Sequence, residues 1–376
     1  MIKATVMDTK DGYCVRFYEP GEEHEIVAFL SLIFNEWKVR GDKALDHWKW
    51  MYQDNPIGPS NIAVALKDDK IVGTAHNLNV YTKVGNTIEK SSYGTDFAVH
   101  PDHRRNGLYD RMLEFLKANR QDFGFQYSYT TNKILIDWNN KRLRGGTGIY
   151  FVFPFDVNRY LLIHDIDLHM KKKKTDHPWI QKQGYSIKKM ISSVKKSRTD
   201  SGGGIKNLKF SETRCFDGAD DFWENIKSKY TFIALKNREN LEWRFSDPRA
   251  GDYHTISAKI GDELAGYIVV SIDYETPDYP MGNIIDCLTT GDLFVQRMLI
   301  EQAVSWLKDR GINAVSAYAI QGSKYGDVLE SFGFLDRGDT LYIMYYIPDK
   351  IGVRVSEFDK AGVDDIHIGY SDFYVK

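Results

Sequence analysis

The sequence is poor in cysteine and proline, with three and ten residues respectively among 376. Three cysteines (Cys14, Cys215 and Cys287) do not form a disulfide framework, and their positions lack the close spacing of metal ligands. We therefore expect a reducing environment and no metal site. No run of about 18 uncharged apolar residues occurs, so we expect no membrane span or membrane partner. The first residues, MIKATVMDTKDGYC, lack the apolar core of a signal peptide, and we expect a cytoplasmic protein.

The sequence also lacks an excess of charge of either sign. Its formal net charge is −2 at pH 7, whereas proteins devoted to nucleic acid are usually strongly basic. We therefore expect no nucleic-acid partner. A composition that is 42% hydrophobic and 27% charged indicates a globular chain rather than a disordered one. At roughly 100–200 residues per domain, the length predicts two domains.

The positive charge is concentrated in one segment. Residues 168–209 contain eleven Lys and one Arg against two Asp, so this segment carries a charge of +10 and the rest of the chain −12. Its SGGG run at Ser201–Gly204 is typical of a flexible linker, and a docking surface for an anionic partner is the alternative interpretation. We predict an N-terminal domain at residues 1–166, a basic linker at 167–204, a second domain at 205–346 and a C-terminal tail at 347–376.

The two predicted domains resemble each other in sequence. Trp50 in WMYQDNP corresponds to Trp243 in WRFSDP at an offset of 193 residues, and the same offset relates Gly73 to Gly266. The segment DRMLEFL resembles QRMLIEQ at an offset of 186 residues. This period is too long for a solenoid, so a duplicated domain is the preferred explanation and chance similarity is the alternative.

Hydrophobic periodicity predicts the same order of elements in both domains. In the first domain the order is β-α-α-β-β-β-α-β-α-β. Its predicted strands are 13–18, 62–66, 71–81, 87–99, 125–130 and 148–155, and its predicted helices include 22–37, 45–53 and 108–119. The corresponding elements in the second domain are 255–259, 264–273, 283–288, 293–308, 314–319, 325–330 and 340–347. The predicted fold class is α+β, with two tandem domains that each contain a mixed, mostly antiparallel twisted sheet flanked by helices.

A basic loop between a predicted strand and a predicted helix carries the clearest chemical signal. The strand ends at Val99, and the helix begins after Gly107 within the segment FAVHPDHRRNGLYDR. A helix N-terminus presents free N–H groups and about half a positive charge. Arg104 and Arg105 precede it, and glycine lets the backbone approach a ligand closely. The segment therefore predicts a site for an anion such as pyrophosphate, with an ordinary charged loop as the alternative.

This segment resembles the acyl-CoA-binding motif V-x-P-x-x-[RQ]-x-x-G-x-[GA] of the GCN5-related N-acetyltransferases (GNAT). The match ends at Tyr109, where the motif prefers Gly or Ala. The resemblance implies that the loop holds the CoA pyrophosphate, that the preceding strand pairs with the pantetheine, and that acetyl-CoA is the cosubstrate. The implied cofactor-binding residues are Phe97, Ala98, Val99, Arg104, Arg105, Asn106, Gly107, Leu108 and Tyr109.

The second domain departs from this motif. Only six residues separate Asp286 from Leu293, compared with eleven between Asp96 and Leu108. The short connection has no arginine, and its Asp292 would repel a phosphate. We therefore expect a degenerate GNAT-like domain that shapes the acceptor cleft without binding CoA by the same route.

Three residues are candidates for catalysis. The resemblance places Asp96 where the family often has a base, but an ordinary aspartate pKa near 4 requires burial or a water relay for that role. Tyr127 and Tyr129 share one strand face, where each could line the acceptor site, act as an acid or simply pack. Family members usually have a tyrosine in the helix after the fifth strand, where it protonates the leaving thiolate. The corresponding segment 138–146 of this chain has no tyrosine.

The expected activity is acyl-CoA-dependent N-acetyl transfer, by direct attack of an amine on the thioester. The expected partner is a small-molecule amine acceptor, such as an amino sugar, and the acyl group is acetyl or another short chain. Two alternatives remain. One is a non-catalytic CoA-binding or scaffold protein, and the other is an aminoacyl-tRNA-dependent transferase of related double fold that contacts tRNA through its basic segment. The sequence leaves the oligomeric state open.

Overall fold

The strands of both halves join into one mixed sheet. The computed structural model describes residues 6–8, 11–119, 125–144, 151–173, 205, 207–346 and 360–369. Within these ranges, fifteen strands form a continuous sheet with helices packed on it. The α+β fold class and the tandem organisation are therefore confirmed. None of the helices in these ranges is long and apolar enough to cross a membrane.

The first half follows the predicted element order closely. Its strands are β1 (Val6–Asp8), β2 (Tyr13–Phe17), β3 (Asn61–Lys67), β4 (Lys70–Val84), β5 (Thr87–Val99), β6 (Phe125–Thr130), β7 (Phe151–Val152) and β8 (Val157–Ile163). Its helices are α1 (Glu23–Ile33), α2 (Asn35–Lys38), α3 (Ala44–Tyr52), α4 (Leu108–Ala118), α5 (Lys133–Arg144) and α6 (Ile166–Lys173). The predicted helix 22–37 is two helices, because Phe34 has an extended backbone between α1 and α2.

The second half repeats this order. Its strands are β9 (Leu208–Thr213), β10 (Phe232–Ala234), β11 (Tyr253–Ile260), β12 (Glu263–Asp273), β13 (Met281–Thr289), β14 (Ala314–Ile320) and β15 (Leu335–Tyr346). Its helices are α7 (Ala219–Ile226), α8 (Arg238–Phe245), α9 (Leu293–Asp309) and α10 (Lys324–Ser331). In each half, antiparallel strands lead to one parallel pair, β5 with β6 and β13 with β14.

Each half contributes a strand to the sheet of the other half. The last strand of the first half, β8, pairs with β14 of the second half, from Val157 opposite Ile320 to Ile163 opposite Ala314. The last strand of the second half, β15, pairs with β6 of the first half, from Gln126 opposite Tyr346 to Thr130 opposite Tyr342. The sheet order β6-β15-β8-β14 therefore joins the halves by a reciprocal exchange of equivalent strands.

This exchange corrects one sequence-based prediction and bears on the domain limits. The strand predicted at 148–155 is only the short β7 within the described residues, and the long exchanged strand β8 was not predicted. Asn158 and Arg159 interrupt the apolar pattern of β8, so its periodicity was weak. The limit between residues 166 and 167 falls in the first turn of α6, and most of the predicted basic linker lies outside the described residues. The domain limits stay a prediction.

The sequence repeat has a structural counterpart at the contact between the halves. The indole rings of Trp50 and Trp243 stack with a centroid distance of 4.8 Å. Trp50 Nε1 donates to the carbonyl of Trp243 at 3.0 Å, and Trp243 Nε1 donates to the carbonyl of Trp50 at 3.3 Å. Equivalent residues thus make reciprocal contacts, which is the geometry of an approximate two-fold axis.

The repeated glycines also occupy equivalent crowded positions. A Cβ on Gly73 would lie 3.2 Å from the carbonyl oxygen of Ala98, on the neighbouring strand. A Cβ on Gly266 would lie 2.8 Å from the carbonyl oxygen of Leu288, on the strand that takes the same place in the second half. Both halves therefore need glycine where the central hairpin passes beneath a helix.

The exchange predicts that neither half is stable alone. A fragment of residues 1–173 would leave β6 without its neighbour β15 and β8 without β14, so we expect it to aggregate or to form a strand-swapped dimer. Coexpressed fragments 1–173 and 205–376 should instead assemble into a 1:1 complex, because both exchanged strands are then supplied. Light scattering after size-exclusion chromatography measures both outcomes. A monodisperse, cooperatively melting monomer of 1–173 would contradict this prediction.

Candidate active site

The loop between β5 and α4 is exposed and ends in a residue with a left-handed backbone. Residues 104–107 are all exposed, and Gly107 takes φ +70° immediately before α4. A Cβ at Gly107 would meet only Arg111 Nε, at 3.9 Å, so the space before the helix is open. No side chain caps the N-terminus of α4. The first-turn N–H groups of α4 are therefore directed toward an open and basic surface.

The equivalent helix end in the second half is capped by a side chain. Asp292 Oδ1 accepts hydrogen bonds from Phe294 N at 2.8 Å and from Val295 N at 3.2 Å. The carboxylate thus occupies the position at the end of α9 where an anionic ligand would bind. This contrast supports the expectation that the second half does not hold CoA by the same route, which remains a prediction.

Hydrogen bonds fix the shape of the basic loop. Tyr13 OH lies 3.1 Å from His103 Nδ1, and Asn106 Nδ2 donates to Tyr13 OH at 3.0 Å. Arg104 Nε donates to the carbonyl of Val99 at 3.2 Å. Arg105 has a φ of +67°, which is uncommon for a residue with a side chain. The Asn106 side chain therefore ties the loop to Tyr13, and the side chains of Arg104 and Arg105 are exposed beside the N-terminus of α4.

The two parallel strands of the first half diverge beside this loop. Strand β6 pairs with β5 only from Ser91 opposite Phe125 to Gly94 opposite Ser128. In the described part of the chain, no strand pairs with that edge of β5 beyond Gly94. Phe97, Ala98 and Val99 thus lie on a strand with one edge open to a ligand backbone.

Aromatic side chains lie next to this open edge. The Tyr109 ring is 5.7 Å from Phe97 and 6.2 Å from Trp138, between centroids. Tyr109, which departs from the motif, therefore packs between β5 and α5. Leu108 is buried in the core beneath α4, so only its backbone faces the loop.

A β-bulge directs Asp96 toward the opposite face of the sheet. Thr74 pairs with Ala98 and His76 with Thr95, so two residues of β5 oppose one residue of β4. Asp96 is one of these two residues and has a φ of +49°. Phe97 and Val99 pack on the α4 face, whereas the Asp96 carboxylate contacts residues of α2 and α3 on the other face. Such bulges commonly redirect a side chain beside an active site.

Two hydrogen bonds hold the Asp96 carboxylate. Trp37 Nε1 donates to Oδ1 at 3.0 Å, and the Tyr52 hydroxyl donates to Oδ2. Burial raises the pKa of Asp96 to about 6, although both hydrogen bonds act to lower it. A carboxylate with this pKa is mostly ionised at neutral pH and is a better proton acceptor than an ordinary aspartate.

The two candidate tyrosines have different environments. Tyr127 is 1% exposed and packs in the core against Phe125 and Phe232. Tyr129 is half-buried, and its ring contacts Tyr93 and Tyr127 with centroids 5.6 Å apart. Tyr129 is therefore the more exposed residue of the two, although its hydroxyl oxygen is buried, and the catalytic role of each stays a prediction.

Sequence reasoning missed the residues that position Asp96. Tyr52 lies in the repeated segment WMYQDNP and Trp37 in the predicted helix 22–37, and neither was among the candidate site residues. Aromatic contacts continue from Tyr52 to His76, whose Nε2 accepts from Trp48 Nε1 at 3.2 Å and whose ring is 4.5 Å from that of Tyr52. Burial lowers the pKa of His76 to about 3, so this imidazole stays neutral. The sequence showed aromatic residues in the segments that form α2 and α3. It did not show that two of them, Trp37 and Tyr52, bind Asp96.

Comparisons with known proteins agree with the fold. Residues 15–131 match the family model described as an acetyltransferase (GNAT) domain. No curated protein sequence matches the chain. Among solved structures, the chain is similar to Saccharomyces cerevisiae N-myristoyltransferase with bound myristoyl-CoA, at 10% identity and a TM-score of 0.59, with 91% of this chain and 84% of that chain covered.

Two further solved structures share the fold. A GCN5-related N-acetyltransferase from Anabaena variabilis is 12% identical with a TM-score of 0.57, over 92% of this chain and 74% of that chain. A probable N-acyltransferase from Enterococcus faecalis is 10% identical with a TM-score of 0.56, over 89% and 72%. Residues 15–131 therefore match an acetyltransferase (GNAT) domain, and the chain as a whole shares its fold with these N-acetyltransferase and N-myristoyltransferase structures.

Proposed function

We propose that this protein is an acyl-CoA-dependent N-acyltransferase that moves an acetyl or short acyl group to the amine of a small molecule. The observation that carries the proposal is the arrangement around β5. An uncapped helix end with two arginines lies at one end of its open edge, and a buried carboxylate lies beside it on the other face.

The donor is proposed to bind along the open edge of β5. Its pyrophosphate would take the N–H groups of α4 beside Arg104 and Arg105, where Gly107 leaves space for close approach. Its pantetheine would run past Phe97, Ala98 and Val99 toward the bulge. The Tyr109 ring, which contacts the rings of Phe97 and Trp138, would border the pantetheine.

The acceptor is proposed to reach the thioester from the face that carries Asp96. An alkyl amine is mostly protonated at neutral pH and must lose a proton before it attacks the carbonyl. Asp96, with its pKa near 6, would accept that proton directly or through water. Transfer then forms the amide C–N bond and breaks the C–S bond. The second proton that the attacking nitrogen loses balances the proton that the leaving thiolate takes up, for which Tyr129 is the candidate donor.

The rival functions make different demands on these residues. A scaffold that only binds CoA does not need a carboxylate whose pKa is raised by burial. A transferase that uses aminoacyl-tRNA would leave the basic loop at α4 without a ligand. The paired presence of the loop and Asp96 on one strand favours the acyltransferase.

Thiol release tests this function directly. The protein should release free CoA from acetyl-CoA only when a suitable amine is added, and the amine should gain the acyl mass. Donors from acetyl-CoA to myristoyl-CoA should be compared at equal concentration, and we expect short donors to be preferred. Binding of acetyl-CoA without turnover of any amine in a broad panel would favour the scaffold. A lack of acetyl-CoA binding would contradict the proposal altogether.

A further inference from the structure

A groove between the two halves lies on the sheet face that carries Asp96. It holds about 70 Å³ of space for solvent, and about 570 Å³ when the open space at its mouth is included. The first half contributes Tyr93 and Tyr127 to it, which belong to the same core cluster as Trp37 and Tyr52, the two residues that bind Asp96. The groove is therefore on the side from which the acceptor would approach.

The second half supplies the cationic wall of this groove. The fifteen residues that line the groove, taken from both halves, include Lys236 and Arg244 from the second half and no carboxylate. The Lys236 ammonium forms a salt bridge with Asp286 at 2.9 Å, so its charge is compensated there. Arg244 lies over the stacked rings of Trp50 and Trp243, with its Cζ 5.8 and 5.9 Å from their centroids. The Arg244 guanidinium thus has a fixed position at the junction of the two halves.

A second guanidinium, that of Arg40, lies near this junction. Arg40, which follows α2, is partly buried and interacts electrostatically with Arg244, Tyr253 and Asp96. Burial lowers the pKa of Arg40, and the nearby Arg244 lowers it further. The carboxylates of Asp96 and Glu36 act on Arg40 in the opposite direction and compensate its charge, whereas Arg244 lines the groove itself.

This charge restricts which amines can bind. A polycationic acceptor would be repelled by the guanidinium groups, whereas an amine with an anionic group elsewhere would be attracted. A guanidinium binds carboxylate or phosphate through two parallel hydrogen bonds, and its stacking on indole rings limits the side-chain entropy lost on binding.

We propose that the acceptor is an amine that also carries a carboxylate or a phosphate, and that Arg244 binds this anionic group. The rings of Trp243 and Tyr93 would then cover the part of the acceptor between its anion and its amine. The inference rests on the proposed acyl transfer and adds the acceptor class to it.

Matched acceptor pairs test the role of Arg244. Glucosamine 6-phosphate is compared with glucosamine to test for a phosphate, and phenylalanine with phenethylamine to test for a carboxylate. We expect the wild type to prefer the anionic member of at least one pair, and Arg244→Gln to lower kcat/KM for that member about 10–100-fold. The kcat/KM for the member without an anionic group and the KM for acetyl-CoA should be unchanged. The control is Arg238→Gln on the same helix, which removes an exposed guanidinium that pairs with Glu242.

Two kinetic outcomes would overturn the inference. One is a wild type that uses glucosamine and phenethylamine as well as the partners that carry an anionic group, and the other is a variant that slows the reaction of both members of a pair equally. If no amine is acylated, calorimetry with glucosamine 6-phosphate and phenylalanine on the acetyl-CoA-bound protein decides separately. Binding by wild type and Arg238→Gln, but not by Arg244→Gln, would support the anion site although acyl transfer had failed. No binding of either compound by the wild type would reject the site.

Discussion

The Asp96→Asn variant is expected to lose about 10²–10⁴-fold in kcat, because the amide cannot accept the proton of the acceptor ammonium. The KM for acetyl-CoA should change little, since the Asp96 carboxylate faces away from the α4 loop. Steady-state thiol release with the best amine measures both parameters. A variant with more than a tenth of wild-type kcat would exclude Asp96 as the base.

The pH dependence provides a sharper test of the same role. Wild-type kcat/KM should fall below an apparent pKa near 6, as Asp96 becomes protonated. Tyr52→Phe removes a hydrogen bond that lowers the pKa of Asp96, so this acidic limb should move to higher pH. Trp37→Phe should shift it in the same direction. A structural role for Asp96 alone would leave the position of the limb unchanged.

The stability of Asp96→Asn separates catalysis from folding. Burial raises the pKa of Asp96 above its ordinary value of 3.8, so the folded state binds the proton more tightly than the unfolded state. The cost of holding the ionised carboxylate therefore grows from about pH 4 to about pH 6 and is fully present above pH 6. The neutral amide avoids this cost, and it can still accept from Trp37 and donate to Tyr52. We expect the variant to melt at or above the wild-type temperature at pH 8.

The Gly107→Trp variant is expected to lose the thermal stabilisation that acetyl-CoA gives the wild type. Ligand at about 100 times its Kd adds about 2.7 kcal/mol to the free energy of unfolding, which corresponds to a rise in Tm of about 3–5 °C for a chain of this size. An indole at Gly107 would fill the open space before α4. Arg105→Glu should give the same loss by charge repulsion, without a change at the glycine. Melting curves with and without acetyl-CoA measure the effect.

Gly311→Trp is the matched control for this substitution. Gly311 also has a left-handed backbone, with a φ of +75° against +70° for Gly107, and it has open space around its Cβ position. Both variants therefore carry a similar backbone strain. Only Gly107→Trp should lose the ligand response. An equal ligand response in wild type and Gly107→Trp would show that acetyl-CoA does not bind at α4.

The local pattern of the sequence identified most elements of the sheet. Thr87–Val99 and Phe125–Thr130 were predicted with the bounds that the structure gives. The aromatic residues of Phe125–Thr130 alternate with polar ones, and such a period-two pattern is a local property of the chain. The loop at Gly107 was also identified locally, since a helix N-terminus, a glycine and two arginines are contiguous in the chain. The repeat of Trp50 and Trp243 indicated two related halves but not their reciprocal contact.

The exchange of β8 and β15 could not be obtained from periodicity. A strand pattern shows that a segment will pair, but not which of two similar sheets will receive it. Both halves present an equivalent open position, beside β6 and beside β14, so the choice depends on the path of the chain between them. The same limitation applies to the groove, whose Tyr93 and Arg244 are far apart in sequence.

The sequence by itself determined the fold class, the duplication and the basic loop at the start of α4. Each of them follows from neighbouring residues or from the spacing of similar segments along the chain. Only the tertiary structure decided that Asp96 is buried between Trp37 and Tyr52, with its pKa raised to about 6. It also decided that the two halves share their last strands. The physical reason is that burial, a bulge and strand partnership depend on groups brought together from distant parts of the chain.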